Sequence, residues 1–249
     1  MTKIKDFGLT FKPRRFSEVA GYEEHTAVLK RYLLDNTIPT GVLFAGETGV
    51  GKSVLAMLLA KSAACLGRKD NEFEPCQKCE PCLRYYRESM YYRVGSAIKN
   101  VDDFREHVEW ARAGANSLRD QAGRRYPIFI DELQDASTAI QQELRRQLQE
   151  PWGRAFLVAT YCGKIDEPLR KRMHNMILTP PSKPVLVEWV LSICKRAGIK
   201  VEDAGSAGII VDKARSEFRT MIFVLERMYV CDLPLNDENA RKACAMCDV

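Results

Sequence analysis

The segment that constrains the fold most is residues 41–53, where a short apolar run leads directly into a glycine-rich turn. The run from Val42 to Ala45 has the character of a buried parallel strand. The pattern Gly-x-x-x-x-Gly-Lys-Ser follows it, and apolar residues at helical spacing begin immediately afterwards. A strand, a glycine-rich turn and a helix in this order form the context that a phosphate-binding loop requires.

The chemistry of this turn follows from its residue types. Glycines allow successive backbone N–H groups to point toward one anion, and the new helix adds its free N–H groups and its positive dipole end. Lys52 can reach the β- and γ-phosphates of a nucleotide, and the Ser53 hydroxyl can bind Mg²⁺. The alternative is a chance glycine turn that binds nothing. The predicted nucleotide-binding residues of this loop are Gly46, Glu47, Thr48, Gly49, Val50, Gly51, Lys52 and Ser53.

Length and composition limit the class of protein. The chain has 249 residues, of which 46% are hydrophobic, so it can form one large domain or two small ones. No apolar run reaches the ~20 residues of a membrane span, and the first residues have no hydrophobic signal core. We therefore expect a cytoplasmic protein without a membrane partner. The net charge of +5 permits an acidic partner such as nucleic acid but does not require one.

Four of the nine cysteines form a pattern that suits a metal ion. In a cytoplasmic protein, cysteines favour metal binding or free thiols over disulfides. Four thiolates suit tetrahedral Zn²⁺, and such a site is structural because it leaves no open position for a substrate. An iron–sulfur cluster and four free thiols are the alternatives, and the first of these cysteines could simply be a buried helix residue. The predicted ligands are Cys65, Cys76, Cys79 and Cys82.

A second group of candidate residues follows two further predicted strands. Residues 127–130 form an apolar run that ends in Asp131 and Glu132. An acidic pair at the carboxyl end of a parallel strand lies where open α/β sheets bind ligands. Asp131 would hold Mg²⁺, directly or through water, and Glu132 would polarise an attacking water. The strand over 155–159 is followed by Thr160, which could contact the γ-phosphate or that water, or be an ordinary strand end.

The remaining segments predict an α/β domain followed by a small helical domain. In the first helix we expect Val28, Leu29, Tyr32 and Leu33 on one face, and we expect Gly114 in a loop. The Pro-Pro-Ser-Lys-Pro run at 180–184 marks the boundary, so the α/β domain covers 1–179, with a zinc-binding insertion at about 65–82, and the helical domain covers 180–249. The other predicted elements are helices over 23–35, 52–66, 101–113, 137–149, 185–197, 202–214, 217–231 and 237–247, and strands over 89–94 and 176–178.

These motifs together resemble the AAA+ P-loop ATPases, and within them the γ/τ-like subunits of the clamp-loader branch. Lys12-Pro13-x-x-Phe16 is similar to the family's Arg-Pro-x-x-Phe box, which packs around adenine and makes Pro13 a nucleotide-site residue. Tyr22 stands where the family usually has glutamine. The cysteine module between the phosphate loop and the acidic strand is the specific mark of γ/τ-like subunits, in which it binds zinc. Asp131-Glu132-Leu-Gln134 resembles the family's Asp-Glu-x-His box.

The resemblance also implies roles for two arginines and for Thr160. Clamp loaders place an arginine after the sensor-1 strand, and it reaches the γ-phosphate bound by the neighbouring subunit. Here Arg172 is the candidate for this arginine finger, and Arg170 competes with it. Arg219 corresponds to the sensor-2 arginine of the helical lid, and Thr160 corresponds to the sensor-1 position.

The function implied by the resemblance is ATP hydrolysis by a homo- or hetero-oligomer of AAA+ subunits on DNA, with a sliding clamp or another loaded protein as partner. The implied cofactors are ATP, Mg²⁺ and Zn²⁺. Lys99 and Arg105 lie in the stretch that faces DNA in clamp loaders. We expect the helical collar domain of clamp-loader subunits to be missing, which leaves two alternatives: a helicase loader or transposition-type matchmaker, and a nucleotide-bound structural subunit with little turnover.

Overall fold

A computed structural model describes residue 4 and residues 6–69, 71–83, 91–98, 100–117, 125–150, 152 and 155–248 of the chain. No helix in these ranges is both long enough and apolar enough to cross a membrane.

The described strands form one parallel sheet in the order β2-β3-β4-β1-β5. The three central strands are buried along nearly their whole length, which explains their continuous apolar sequences. The edge strand β5 begins at His174, but His174 and Asn175 are exposed. Its apolar pattern therefore begins only at Met176, where the predicted strand begins. The strands are β1 (Gly41–Gly46), β2 (Tyr91–Val94), β3 (Tyr126–Asp131), β4 (Ala155–Tyr161) and β5 (His174–Leu178).

Helices cover both faces of the sheet and form a separate cluster after it. The sequence pattern did not predict four short connections: the four-residue helices Phe7–Thr10 and Glu80–Leu83, and the 3-10 turns Gly95–Ala97 and Leu133–Asp135. The helices are α1 (Phe7–Thr10), α2 (Glu23–Leu34), α3 (Lys52–Ala64), α4 (Glu80–Leu83), α5 (Val101–Ser117), α6 (Thr138–Gln147), α7 (Glu167–Arg170), α8 (Lys183–Ala197), α9 (Ala207–Lys213), α10 (Phe218–Val230) and α11 (Asp237–Met246).

Alternate residues of β1 belong to cores on opposite faces of the sheet. Val42 and Phe44 pack with α2 and α3, whereas Leu43 packs with residues of α5 and α6. This alternation is the two-residue period of a strand, and it shows that the sheet has helices on both faces. The predicted α/β fold with a helical C-terminal part is confirmed.

The C-terminal helices have a hydrophobic core of their own, and the start of the chain contributes to it. Phe7 of α1 is fully buried in this core, and its ring centroid lies 5.1 Å from that of Tyr229 in α10. The Ile4 backbone N–H donates to the Tyr229 hydroxyl at 3.1 Å. The two-domain division at residue 179 stays a prediction, and residues near the N-terminus pack with the helices that follow it.

Three local predictions differ from the structure. Gly114, predicted in a loop, lies inside α5, because the helical pattern continues to Ser117. Val28 is 43% exposed, so only Leu29 and Leu33 of the predicted face of α2 are buried. The helix predicted over 202–214 is a 3-10 turn, in which the Asp203 carboxylate accepts from the Gly205 and Ser206 N–H groups, followed by α9.

Candidate functional site

The predicted phosphate loop connects β1 to α3. Gly46 has φ 145° and Gly51 has φ 100°, conformations that glycine adopts far more readily than other residues. A Cβ atom on Gly46 would lie 2.3 Å from the Leu178 carbonyl oxygen, so the close approach of β5 also requires glycine there. Val50 is buried, while Glu47 and Thr48 are exposed on the loop.

The Lys52 ammonium lies over its own loop. It donates to the carbonyl oxygens of Gly46 at 2.9 Å and Glu47 at 2.6 Å. Burial lowers the pKa of Lys52 below its ordinary value, and the nearby positive charge of Arg219 contributes in the same direction. Two cations from different parts of the chain therefore face the same space, as an anion site requires.

The Ser53 and Asp131 side chains are in direct contact. The Ser53 hydroxyl donates to Asp131 Oδ1 at 2.8 Å, and the Thr160 hydroxyl donates to the same oxygen. Thr160 also accepts from the Glu132 backbone N–H at 3.0 Å. Thr160 therefore contacts both members of the acidic pair, and its phosphate or water contact expected from the sequence stays a prediction.

Glu132 has a left-handed backbone conformation, with φ 55° and ψ 54°. This conformation is uncommon outside glycine, asparagine and aspartate. Gly95, at the end of β2, packs against it: a Cβ on Gly95 would lie 2.4 Å from the Glu132 carbonyl oxygen. The sequence gives no sign of this contact, because it joins two residues far apart in the chain.

Many of the predicted site residues line a cleft of about 420 Å³ between the sheet and the C-terminal helices. Polar groups from the phosphate loop and from the ends of β3 and β4 form one side of the cleft. Apolar side chains from the N-terminal segment and from the C-terminal helices form the other side. A pocket of this kind, apolar with a few convergent polar groups, is typical of a small-molecule site. The predicted site residues that line it are Pro13, Thr48, Gly49, Gly51, Lys52, Ser53, Glu132, Thr160 and Arg219.

Helix α10 closes the cleft by contacting the phosphate loop directly. The Phe218 backbone N–H donates to the Gly49 carbonyl oxygen at 3.1 Å. Arg219, one residue further on, lines the cleft. Trp189 of α8 and Phe218 form an edge-to-face ring pair, with 4.9 Å between centroids, on the same wall. Helices α8 and α10 thus supply both a cation and an aromatic surface to the cleft.

Tyr22 is a site residue whose role the sequence did not reveal. Its side chain is 3% exposed, and its hydroxyl donates to the Val50 carbonyl oxygen at 2.6 Å. Burial raises the pKa of this hydroxyl above its ordinary value, so it remains a donor. Tyr22 therefore fixes the backbone of the phosphate loop while its ring lines the cleft.

The two finger candidates lie outside the cleft, and their surroundings differ. Arg170 forms a two-bond ion pair with Glu167, with both N–O distances 2.9 Å. Arg172 is exposed and donates to the Arg145 carbonyl oxygen at 3.1 Å. Within the described ranges Arg172 has no carboxylate partner at salt-bridge distance, so its charge is the more available of the two for another molecule.

Of the two candidate DNA contacts, Lys99 lies outside the described residues. Arg105 of α5 is 44% exposed, and its guanidinium pairs with Glu143 of α6 at 3.0 Å and with Asp102 at 3.2 Å. Its charge is therefore partly neutralised within the chain.

The four predicted metal ligands come together in one cluster. The Sγ atoms of Cys65, Cys76, Cys79 and Cys82 all lie within 4.8 Å of one another, with 3.8 Å between Cys65 and Cys79 and 3.9 Å between Cys76 and Cys82. The sulfurs of a tetrahedral site with Zn–S bonds of about 2.3 Å are about 3.8 Å apart. The cluster therefore fits a thiolate-binding ion, and Cys65 belongs to it.

Comparisons with known proteins point to one group of relatives. A family model described as "DNA polymerase III, delta subunit" matches residues 21–93. The chain is 26% identical over 219 residues to a replication factor C small subunit of Archaeoglobus fulgidus, covering 87% of this chain and 61% of that protein. It is 27% identical over 224 residues to DNA polymerase III subunit gamma of Buchnera aphidicola, covering 88% of this chain and 58% of that protein.

The resemblance to the clamp-loader branch of the AAA+ ATPases is confirmed. The chain spans less than two thirds of the length of these relatives. Among solved structures, the Thermotoga maritima RuvB Holliday junction branch migration motor matches with a TM-score of 0.65 and 17% identity, over 97% of this chain and 73% of that one. That likeness shows a shared fold.

Proposed function

We propose that the chain is an ATP-hydrolysing AAA+ subunit of a DNA-associated assembly of the clamp-loader type. One observation carries the proposal: the Ser53 hydroxyl and the Asp131 carboxylate are in contact, and Lys52, Glu132 and Arg219 face the same cleft. The names of the relatives, replication factor C small subunit and DNA polymerase III subunit gamma, support the setting in DNA replication.

In this proposal the cleft binds a nucleoside triphosphate. The backbone N–H groups of residues 46–53 and the start of α3 bind the phosphates, with the Lys52 ammonium exchanging its carbonyl acceptors for phosphate oxygens. Pro13 and Tyr22 on one wall, with Trp189 and Phe218 on the other, provide the apolar surface for the base. This assignment makes adenine the base by analogy with the family's Arg-Pro-x-x-Phe box.

Ser53 and Asp131 would hold Mg²⁺. Their oxygens already converge, and hydroxyl and carboxylate oxygens are the ligands that this ion prefers. When bound, the ion supplies positive charge that neutralises the phosphate oxygens. Thr160 keeps Asp131 oriented by donating to it from a buried position.

Hydrolysis requires a water to be oriented and negative charge to be neutralised. The exposed Glu132 carboxylate accepts a hydrogen bond from the attacking water and holds it in place, while its own backbone is fixed through Thr160 and Gly95. Lys52 and Arg219 neutralise charge from within the chain. Arg172 reaches the phosphate bound by a neighbouring subunit, which makes turnover depend on assembly.

The cysteine cluster binds zinc in a structural role. Four thiolates match the ligands and the spacing of a closed tetrahedral site. The partners in this proposal are further AAA+ subunits, identical or different, DNA, and a sliding clamp or another loaded protein. Lys99 and Arg105 are the DNA-facing candidates, and the cytoplasmic location expected from the sequence stays a prediction.

The test is steady-state ATP hydrolysis by the purified chain, with and without primed DNA, beside light scattering to measure its assembly. We expect DNA-stimulated turnover in an oligomer, lost by about 10³-fold in Arg172→Ala. Arg170→Ala is the matched control, because it removes a neighbouring arginine already paired with Glu167, and it should retain most turnover. A monomer that binds ATP but hydrolyses none with or without DNA would overturn the proposal and favour a structural nucleotide site.

A further inference from the structure

The cysteine cluster is connected to the nucleotide cleft through Glu74. This carboxylate accepts from two consecutive backbone N–H groups, those of Phe16 at 2.8 Å and Ser17 at 2.9 Å. The two residues begin a 3-10 turn, Phe16–Glu18, whose own preceding residue, Arg15, provides no side-chain cap. Glu74 therefore caps a turn that lies 57 residues before it in the chain.

The capped turn lies in the middle of one wall of the cleft. We call residues 12–22 the N-terminal strap. Lys12 and Pro13 line the cleft before the turn, and Val19, Ala20 and Tyr22 line it after the turn. The position of the turn therefore sets the positions of both lining segments, although the turn itself does not face the cleft.

Residues directly beside the cysteines contact the strap. Glu74 lies two positions before Cys76, and Gln77, which follows Cys76, donates from its amide to the Arg14 carbonyl oxygen. Phe73 packs against Phe16, with 5.9 Å between ring centroids. The Phe16 side chain is 2% exposed and belongs to the core of the sheet, so the strap is fixed from both sides.

Metal binding should stiffen this connection. The backbone N–H groups of Cys76 and Cys79 donate to the sulfurs of Cys65 and Cys76, both at 3.3 Å, so the loop is folded around the cluster. Without an ion no metal–sulfur bonds link the four sulfurs, so the loop that presents Glu74 would lose the connections that fix its shape.

We infer that the cysteine module controls nucleotide affinity by positioning the strap. Metal binding fixes Glu74, Glu74 fixes the strap, and the position of the strap sets nucleotide affinity. Glu74 is thus a positioning residue, not a catalytic one. This inference rests on the proposed function, since it assigns nucleotide to the cleft.

The experiment measures the dissociation constant of a fluorescent ADP analogue with Mg²⁺, together with hydrogen exchange at the Phe16 and Ser17 amides and the zinc content. Glu74→Ala should retain zinc, bind the analogue about tenfold more weakly and exchange both amides faster. Glu74→Gln, which keeps one acceptor oxygen, should lie between. Glu80→Ala is the matched control, since Glu80 is exposed in the same module, and it should behave like the wild type.

Removal of zinc with a chelator provides the second arm. In the wild type it should weaken binding and speed exchange at Phe16 and Ser17 to the level of Glu74→Ala, and in that variant it should add little. Unchanged binding and exchange in zinc-loaded Glu74→Ala would overturn the inference. So would an equal loss on zinc removal in both proteins, since the metal would then act by another route.

The two proposals fail in different ways. If the wild type binds no nucleotide, the proposed function is wrong. Hydrogen exchange at the Phe16 and Ser17 amides without nucleotide still tests whether the cysteine module positions the strap. Faster exchange on zinc removal would then support the mechanical connection alone. If nucleotide binds but hydrogen exchange at these amides does not change on zinc removal or in Glu74→Ala, only the inference about the cysteine module is wrong.

Discussion

At the scale of single residues, Thr160 has the most informative surroundings. Its hydroxyl donates to Asp131 and accepts from the Glu132 N–H, so one side chain orients both acidic residues. It is 1% exposed, which means that neither bond can be replaced easily by water. Under the proposed function Thr160 acts through Asp131 and Glu132, so its loss should affect ATP turnover more than nucleotide affinity.

We predict that Thr160→Val lowers ATP turnover about 10- to 100-fold, with a smaller effect on nucleotide affinity, because it removes the hydroxyl and keeps the branched shape. The Glu132 N–H would lose its acceptor, which costs about 1–3 kcal/mol of stability. Thr160→Ser keeps the hydroxyl and is the control. Steady-state kinetics and nucleotide binding on all three proteins check this. Equal losses in both variants would show that packing, not the hydroxyl, is responsible.

At the scale of elements, the sequence predicted those parts whose signals are local. The phosphate loop, the central strands and α6 with its Ser137 cap each carry a short-range pattern, and the structure contains all of them. Helix α1 was missed because four residues have too little periodicity, although the Asp6 side chain caps it.

Contacts between distant residues were not predictable from such patterns. Glu74 caps a turn at Phe16 and Ser17, and Arg105 pairs with Glu143, which lies 38 residues later on another helix. No spacing rule connects these residues, because only the packing of complete elements brings them together. The same reason explains why Arg105 was predicted only as a DNA contact.

Helices α5 and α6 are joined by a carboxylate that should make stability depend on pH. Glu143 is 5% exposed and accepts hydrogen bonds from Arg146 at 2.6 Å, from Arg105 at 3.0 Å and from Gln147 at 2.8 Å. The bonds from Arg146, then those from Arg105, lower the pKa of Glu143 well below its ordinary range. Two further carboxylates lie beside this cluster: Asp102 pairs with Arg105, and the charge of Glu150 acts on Arg146.

We predict that Glu143→Gln costs about 1–3 kcal/mol at pH 7 and reduces the loss of stability on acidification. A carboxyl whose pKa is lower in the folded state stabilises fully above its unfolded pKa, about 4.3, and loses that contribution as pH falls. Thermal melts from pH 7 to pH 3 measure this. Glu106→Gln, on the exposed side of α5, is the control. Parallel pH profiles for the wild type and Glu143→Gln would contradict it.

At the scale of the whole molecule, the cleft lies between the C-terminal core and the core that packs α2 and α3 on the sheet, and the start of the chain contributes to both of these cores. Phe7 is buried among the C-terminal helices, whereas Phe16 is buried against the sheet. Between them lies the first part of the strap, with Lys12 and Pro13 on the cleft wall. A nucleotide bound in this cleft, as we propose, would contact side chains from both of these cores.

The proposed function requires that one active centre be built from two subunits. Glu132 and Lys52 lie in the cleft, whereas Arg172 lies on the surface of the same chain, outside it. In a head-to-tail assembly the finger of one subunit serves the cleft of the next. Two inactive variants with defects on different sides of this interface should therefore complement each other.

We predict that mixing Glu132→Gln with Arg172→Ala restores ATP turnover. In a randomly mixed homo-oligomer about a quarter of the interfaces pair an intact Glu132 with an intact Arg172, so activity should rise to about a quarter of wild type. Mixing Glu132→Gln with Lys52→Ala is the control: both defects lie in the cleft, so every subunit of that mixture has a defective cleft.

In that control mixture no cleft is intact, whichever subunit supplies Arg172, so no turnover should appear. Complementation by Glu132→Gln and Arg172→Ala, absent from this mixture, would show that the finger acts between subunits, since a finger acting within its own chain leaves each variant inactive in any mixture. No restoration in either mixture, in particles that light scattering shows to be mixed, would contradict a shared site built from identical subunits.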